Sequence, residues 1–167
     1  ARWSSATAGS VAASPGWPDR FEPMDAVAHY AAISEQDGSF SLLGETTSPQ
    51  RDGWRPAESS QLFRYHLHYF DWVWPLAAER DHQRFAELWR SWQADTRLGR
   101  WDEWSPYVVS LRAWNLCAVY GPLVARSTVA DDVRSNLDVS LGYLQANLER
   151  DVGGNHLAQL VLVQHLA

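Results

Sequence analysis

Between residues 62 and 97 the apolar side chains recur at the spacing of a helix, with Phe85, Leu88, Trp89 and Trp92 at i, i+3, i+4 and i+7. Such positions share one helical face, whereas a strand would scatter the same four over both of its faces. The pattern commits this stretch to amphipathic helix with a bulky aromatic seam that other elements must cover. Pro75 and Asp81 suggest two helices here, because proline resists a helix interior and aspartate favours a helix start. A second apolar segment runs from residue 107 to about 126, with Pro106 suited to its first turn. A third begins at Asp131 and Asp132, whose charges favour a helix N-terminus, and places Val133, Leu137, Leu141, Leu144 and Leu148 on one stripe. Residues 151–154, Asp-Val-Gly-Gly, break it. Residues 155–167 read as a further buried helix that meets the end of the chain without a stop signal, as a truncated domain would.

The N-terminal third has a different character. Residues 1 to about 20 are rich in Ala, Ser, Gly and Pro and read as a tail or linker. Residues 25–33 suit one or two helical turns, residues 39–43 alternate as a short strand after Asp37-Gly38, and residues 44–60 return to loop composition around Trp54. The expected organisation is a linker or tail with at most a short helix over residues 1–37, then one helical unit over 38–167. The expected fold class is all-α: antiparallel helical hairpins after a small strand and loop region. A bundle, a solenoid and part of an α/α toroid all satisfy this, since no repeat of fixed period is visible.

Composition narrows the function classes. A chain of 167 residues is one domain's worth, and its 46% hydrophobic and 20% charged residues exclude wholesale disorder. The single cysteine, Cys117, excludes an intrachain disulfide and a thiolate zinc site. No run of 18 apolar residues is present, so no membrane span is expected, and no signal peptide is visible. A formal charge of -6 argues against nucleic acid, although not against an acidic sugar. All 14 basic residues are arginine, so every cationic contact to a carboxylate can be bidentate. Ten tryptophans suit sugar faces as well as a core, and most are expected in the core.

Three clusters carry candidate chemistry. In Arg64-Tyr65-His66-Leu67-His68-Tyr69-Phe70-Asp71-Trp72, the two histidines would point about 200° apart on a helix, so no metal site is expected. His68 and Asp71, three apart, are expected to pair with each other or with a neighbour. In Trp101-Asp102-Glu103-Trp104-Ser105-Pro106-Tyr107, which leads on to Ser110 and Arg112, the adjacent carboxylates are poorly placed to flank one glycosidic bond. That cluster reads equally as an aromatic loop packed over helix ends and as a sugar subsite. Gly153-Gly154-Asn155-His156-Leu157 reads as a helix cap or, alternatively, as an amide and imidazole facing a pocket at a helix N-terminus.

Taken in order, the blocks at 67–72, 104–112, 140–148 and 154–157 resemble the N-terminal region of heparinase II/III-like polysaccharide lyases, over about residues 38–167. The resemblance implies part of an α/α toroid, a β-sandwich domain absent from this chain, and β-elimination on uronate-containing polysaccharides such as glycosaminoglycans. Abstraction of the C5 proton loads charge onto a carboxylate that is already negative, so neutralising that group is the main electrostatic task. The resemblance assigns it to Asn155 with His156 as helper, and implies substrate contacts by His68, Trp104, Tyr107 and Arg112. It puts the base and acid beyond residue 167, so that the fragment alone is inactive. The implied partners are an acidic polysaccharide and the C-terminal remainder of the same enzyme, with no cofactor and no metal. The implied compartment is periplasmic or extracellular. His66 stands where many relatives carry Asn. The competing readings are a non-catalytic glycan-binding module and a structural helical domain.

Overall fold

The computed structural model describes residues 31–33, 38–100 and 102–147, the first three by backbone alone. The described chain is mostly helical, with a small antiparallel sheet of three strands in the order β1 (Ala31–Ile33), β2 (Phe40–Leu42), β3 (Glu45–Thr47). Ile33 pairs with Phe40, and Phe40 in turn with Thr47. Residues 31–33 are thus strand where a short helix was expected. Phe40 and Leu42 are buried on one side of β2 while Ser41 is exposed, the alternation that a half-covered sheet requires. Leu43 and Gly44 both have positive φ, 52° and 81°, which makes the two-residue turn whose twist matches a hairpin. The stretch from residue 44 to 60 is therefore not all loop: it holds β3 and the single turn α1 (Pro49–Asp52).

The stretch expected to hold two helices holds three: α2 (Gln61–Tyr69), α3 (Val73–Glu79) and α4 (His82–Asp95). The extra break falls at Phe70, which adopts a left-handed conformation with φ 67° and ends α2. Pro75 is accommodated within the first turn of α3, where its missing N–H is no loss. Side chains cap two of these helices. Ser60 Oγ accepts from the Phe63 amide at 3.1 Å, and Asp81 accepts from the Arg84 amide at 2.9 Å. A 3₁₀ turn (Asp102–Trp104) leads into α5 (Pro106–Ala118), with proline at its start as the sequence suggests. The apolar run that follows does not stay α-helical, because a π-helical turn (Tyr120–Val124) intervenes before α6 (Ala130–Ala146). Asp131 and Asp132 lie in the first turn of α6, and Val133 and Leu144 of its stripe are buried.

The core is aromatic. Phe40, Trp54 and Trp72 form a triangle with centroids 5.6 Å apart, and Phe70 joins it to Trp89 and Trp92 at 6.0 and 5.1 Å. Six of the described tryptophans are buried and Trp114 is exposed. Indole N–H groups inside such a core need acceptors. Trp54 donates to Ser91 Oγ, Trp72 to the Leu67 carbonyl and Trp74 to Asn115 Oδ1. Asn115 also donates to the Tyr69 carbonyl at 2.8 Å, and so ties α5 to the corner between α2 and α3.

Candidate functional site

Where α2, the loop after α1 and the 3₁₀ turn meet, Arg55, Pro56, Ala57, Arg64, His68, Asp102 and Glu103 line a pocket of about 390 Å3. Arg64 and His68 stand four apart on α2, so one helical face delivers both. Arg64 is held by Asp102 Oδ2 at 3.0 Å and by the Ser59 carbonyl at 2.6 Å. Arg55 is anchored to the end of α4 through the backbone and side chain of Asp95. Its Nε lies 3.8 Å from Glu103 Oε1, an ion pair beyond hydrogen-bond distance.

His68 is wholly buried, and its Nδ1 accepts from Trp92 Nε1–H at 3.2 Å. Burial pushes the imidazole pKa down to about 3. Arg112 and Arg55 act in the same direction, and the Trp54 backbone works against them. The ring is therefore neutral near pH 7. With Nδ1 accepting, its proton sits on Nε2, which makes His68 a donor.

Behind the pocket wall Arg112 is wholly buried, its guanidinium carbon 4.8 Å from the Trp92 ring centroid, 5.0 Å from Trp104 and 5.9 Å from Phe70. Its Nη1 donates to the Glu103 carbonyl at 2.8 Å, while Nε and Nη2 have no hydrogen-bond partner. Burial lowers its pKa to about 9, with Glu103 opposing the shift, so it remains a cation at neutral pH. Glu103 has no exposed surface, and neither of its carboxylate oxygens has a hydrogen-bond partner in another residue. Burial raises its pKa, against the pull of its own backbone N–H, Arg55 and Arg112.

The structure brings three of the expected site residues into one cluster and gives them different places. His68 lines the pocket, whereas Arg112 and Trp104 are packed behind it. Trp104 meets Arg112 with its face and the Tyr143 ring at a near-perpendicular 74°. Tyr107 stands edge-on to Tyr69, centroids 5.8 Å apart, and is not among the lining residues. Asn155 and His156 lie outside the described residues, as does Trp101. His68 and Asp71 were expected to pair with each other or with a neighbour, and each takes a neighbour: Asp71 Oδ2 meets His66 Nδ1 at 2.8 Å, and His68 meets Trp92. The left-handed Phe70 turns Asp71 back along α2, while His68 faces the core. Among the described residues no three His, Cys, Asp or Glu side chains are grouped to hold a metal ion.

Sequence reasoning missed Arg55, Arg64 and Glu103 as pocket residues. The i, i+4 relation of Arg64 to His68 was available to find the first. Nothing local marks Arg55, which reaches the pocket from a loop 48 residues before Glu103. Compared with protein-family models, with curated proteins and with solved structures, the chain matches none of them. Among the described residues no helix is long and apolar enough to cross a membrane.

Proposed function

We propose that this chain is the helical, substrate-recognising part of a polysaccharide lyase that cleaves uronate-containing polysaccharides by β-elimination, and that its arginine-lined pocket holds an acidic sugar. The helical hairpins then belong to an α/α toroid, and Asn155 with His156 neutralises the uronate carboxylate during C5 deprotonation. The observation that carries the reading is the convergence of Arg55, Arg64 and the neutral donor His68 on one pocket. Arginine matches a carboxylate with paired N–H groups, and a neutral imidazole adds a donor without a further charge to desolvate. Arg112 supports the wall from behind, its cation spread over aromatic faces.

A non-catalytic glycan-binding module is the second reading. It is favoured by the fact that the pocket's lining comes from residues 55–103 alone, with no need of Asn155 or His156. Titration of the chain with an oligoglucuronate and with a neutral glucan of equal length tests what the two readings share. Binding of the oligoglucuronate alone is expected, weakened about tenfold or more by Arg64→Gln, since a charge-assisted hydrogen bond contributes roughly 1.5–3 kcal/mol. Equal affinity for the neutral glucan rejects the acidic-sugar pocket and leaves only a general glycan-binding module, and binding of neither rejects both readings. Release of unsaturated uronate from a polymer by the protein carrying its downstream domain, lost in Asn155→Ala, separates the lyase from the module.

A further inference from the structure

Glu103 is the least satisfied group in the pocket. It is completely buried, it lines the cavity, and both oxygens lack a partner from another residue, with Arg55 Nε 3.8 Å away. A buried carboxyl that takes no hydrogen bond from another residue costs folding free energy, and such groups in native proteins call for a reason. A purely structural counter-ion for Arg112 would be expected to bond to it, yet Arg112 donates to the Glu103 backbone carbonyl and not to its carboxylate. The pocket's charges also balance without a ligand, because Arg64 faces Asp102, Arg55 faces Asp95, and Arg112 lies beside Glu103. A bare anion entering this arrangement gains from the arginines and loses to Glu103. A ligand that brings a hydroxyl next to its carboxylate gains from both.

We propose that Glu103 is a specificity-determining residue of this pocket, accepting a hydrogen bond from a ring hydroxyl of the bound sugar while Arg55 and Arg64 hold the neighbouring carboxylate. The ligand class is therefore a hydroxy-acid sugar and not carboxylates in general. The inference rests on the acidic-sugar reading above and adds to it the group that tells such a sugar from a plain carboxylate. Selectivity of this kind is steep where a site is built around a substrate hydroxyl, since an analogue lacking it leaves a buried polar group unpaired.

The test compares glucuronate with cyclohexanecarboxylate, a ring of the same size bearing the carboxylate and no hydroxyl, by NMR titration of the wild-type chain, Glu103→Gln and Glu103→Met. Glucuronate is expected to bind the wild type at least tenfold more tightly than cyclohexanecarboxylate. The ratio should shrink in Glu103→Gln, which keeps one acceptor oxygen, and vanish in Glu103→Met, which keeps none. Equal binding of the two ligands by the wild type overturns the role of Glu103 and leaves the acidic-sugar reading standing. Binding of neither overturns both. A ratio unchanged in the variants, with only stability lowered, makes Glu103 a structural counter-charge. Should the variants not fold, the carboxyl carbon resonance of Glu103 in the wild type decides: glucuronate should shift it and lower its apparent pKa, whereas an identical response to cyclohexanecarboxylate refutes the proposal.

Discussion

At the scale of single residues, His68 and Glu103 titrate in opposite senses, and their linkage to folding can be separated. His68 is held near pKa 3 against an ordinary 6.5, so below pH 6.5 the unfolded chain binds a proton that the folded chain refuses. Its contribution to stability is present above pH 6.5 and is lost as pH falls from there toward 3. Glu103 is raised above its ordinary 4.5, so the folded chain keeps a proton that the unfolded chain releases. Its contribution is present at low pH and declines as pH rises beyond 4.5. Denaturant unfolding of wild type and His68→Gln at a series of pH values isolates the histidine. The difference between them should move in the variant's favour by roughly 1.4 kcal/mol per pH unit below 6.5 and stay level above 7. A difference independent of pH would contradict a neutral, buried His68.

Among the elements, α4 shows what a cap contributes. Asp81 takes the amide of Arg84, one of the orphan donors at a helix start, so Asp81→Ala should cost about 1 kcal/mol in denaturant unfolding. Because α4 meets the pocket residue Arg55 through Asp95 at its opposite end and contributes no lining residue, ligand titrations of the same variant should match the wild type; a loss of binding would mean that the cap acts on the site. This helix was legible in the sequence from its aromatic spacing and its aspartate, as α5 was from Pro106 and α6 from its acidic start. What was hidden has local causes. Leu43 occupies a turn position usually filled by Asn, Asp or Gly, so Gly44 alone marks the hairpin in the sequence. Phe70 ends α2 in a conformation that large side chains seldom adopt, and the chain offers no glycine there to announce it. The pocket was half legible for a similar reason: His68 belonged to a recognisable aromatic cluster, but the positions of Arg55 and Glu103 depend on how a loop and a 3₁₀ turn meet in space.

Over the whole molecule, packing is fixed by a few buried polar bonds set within an aromatic core. Asn115 is the clearest: it accepts from Trp74, donates to the Tyr69 carbonyl, and reaches Asp71 Oδ1 at 3.2 Å. Asn115→Leu removes the acceptor that Trp74 Nε1–H uses and the donor to the Tyr69 carbonyl in a buried setting, and should lower stability by about 2–5 kcal/mol in urea unfolding. A change under 1 kcal/mol would show that water or a shifted α5 replaces those bonds. The indole rings of the core also couple to one another as chromophores. Trp89 and Trp92 lie 5.4 Å apart with planes at 35°, and Trp54 and Trp72 lie 5.6 Å apart at 45°. At such distances the ultraviolet transitions of neighbouring indoles mix, and excitation passes between them before light is emitted. The folded chain thus carries an exciton pattern in its circular dichroism and a pooled emission that belongs to no single tryptophan, so the approach of the Trp54 loop to α3 and α4 can be followed optically without any added label.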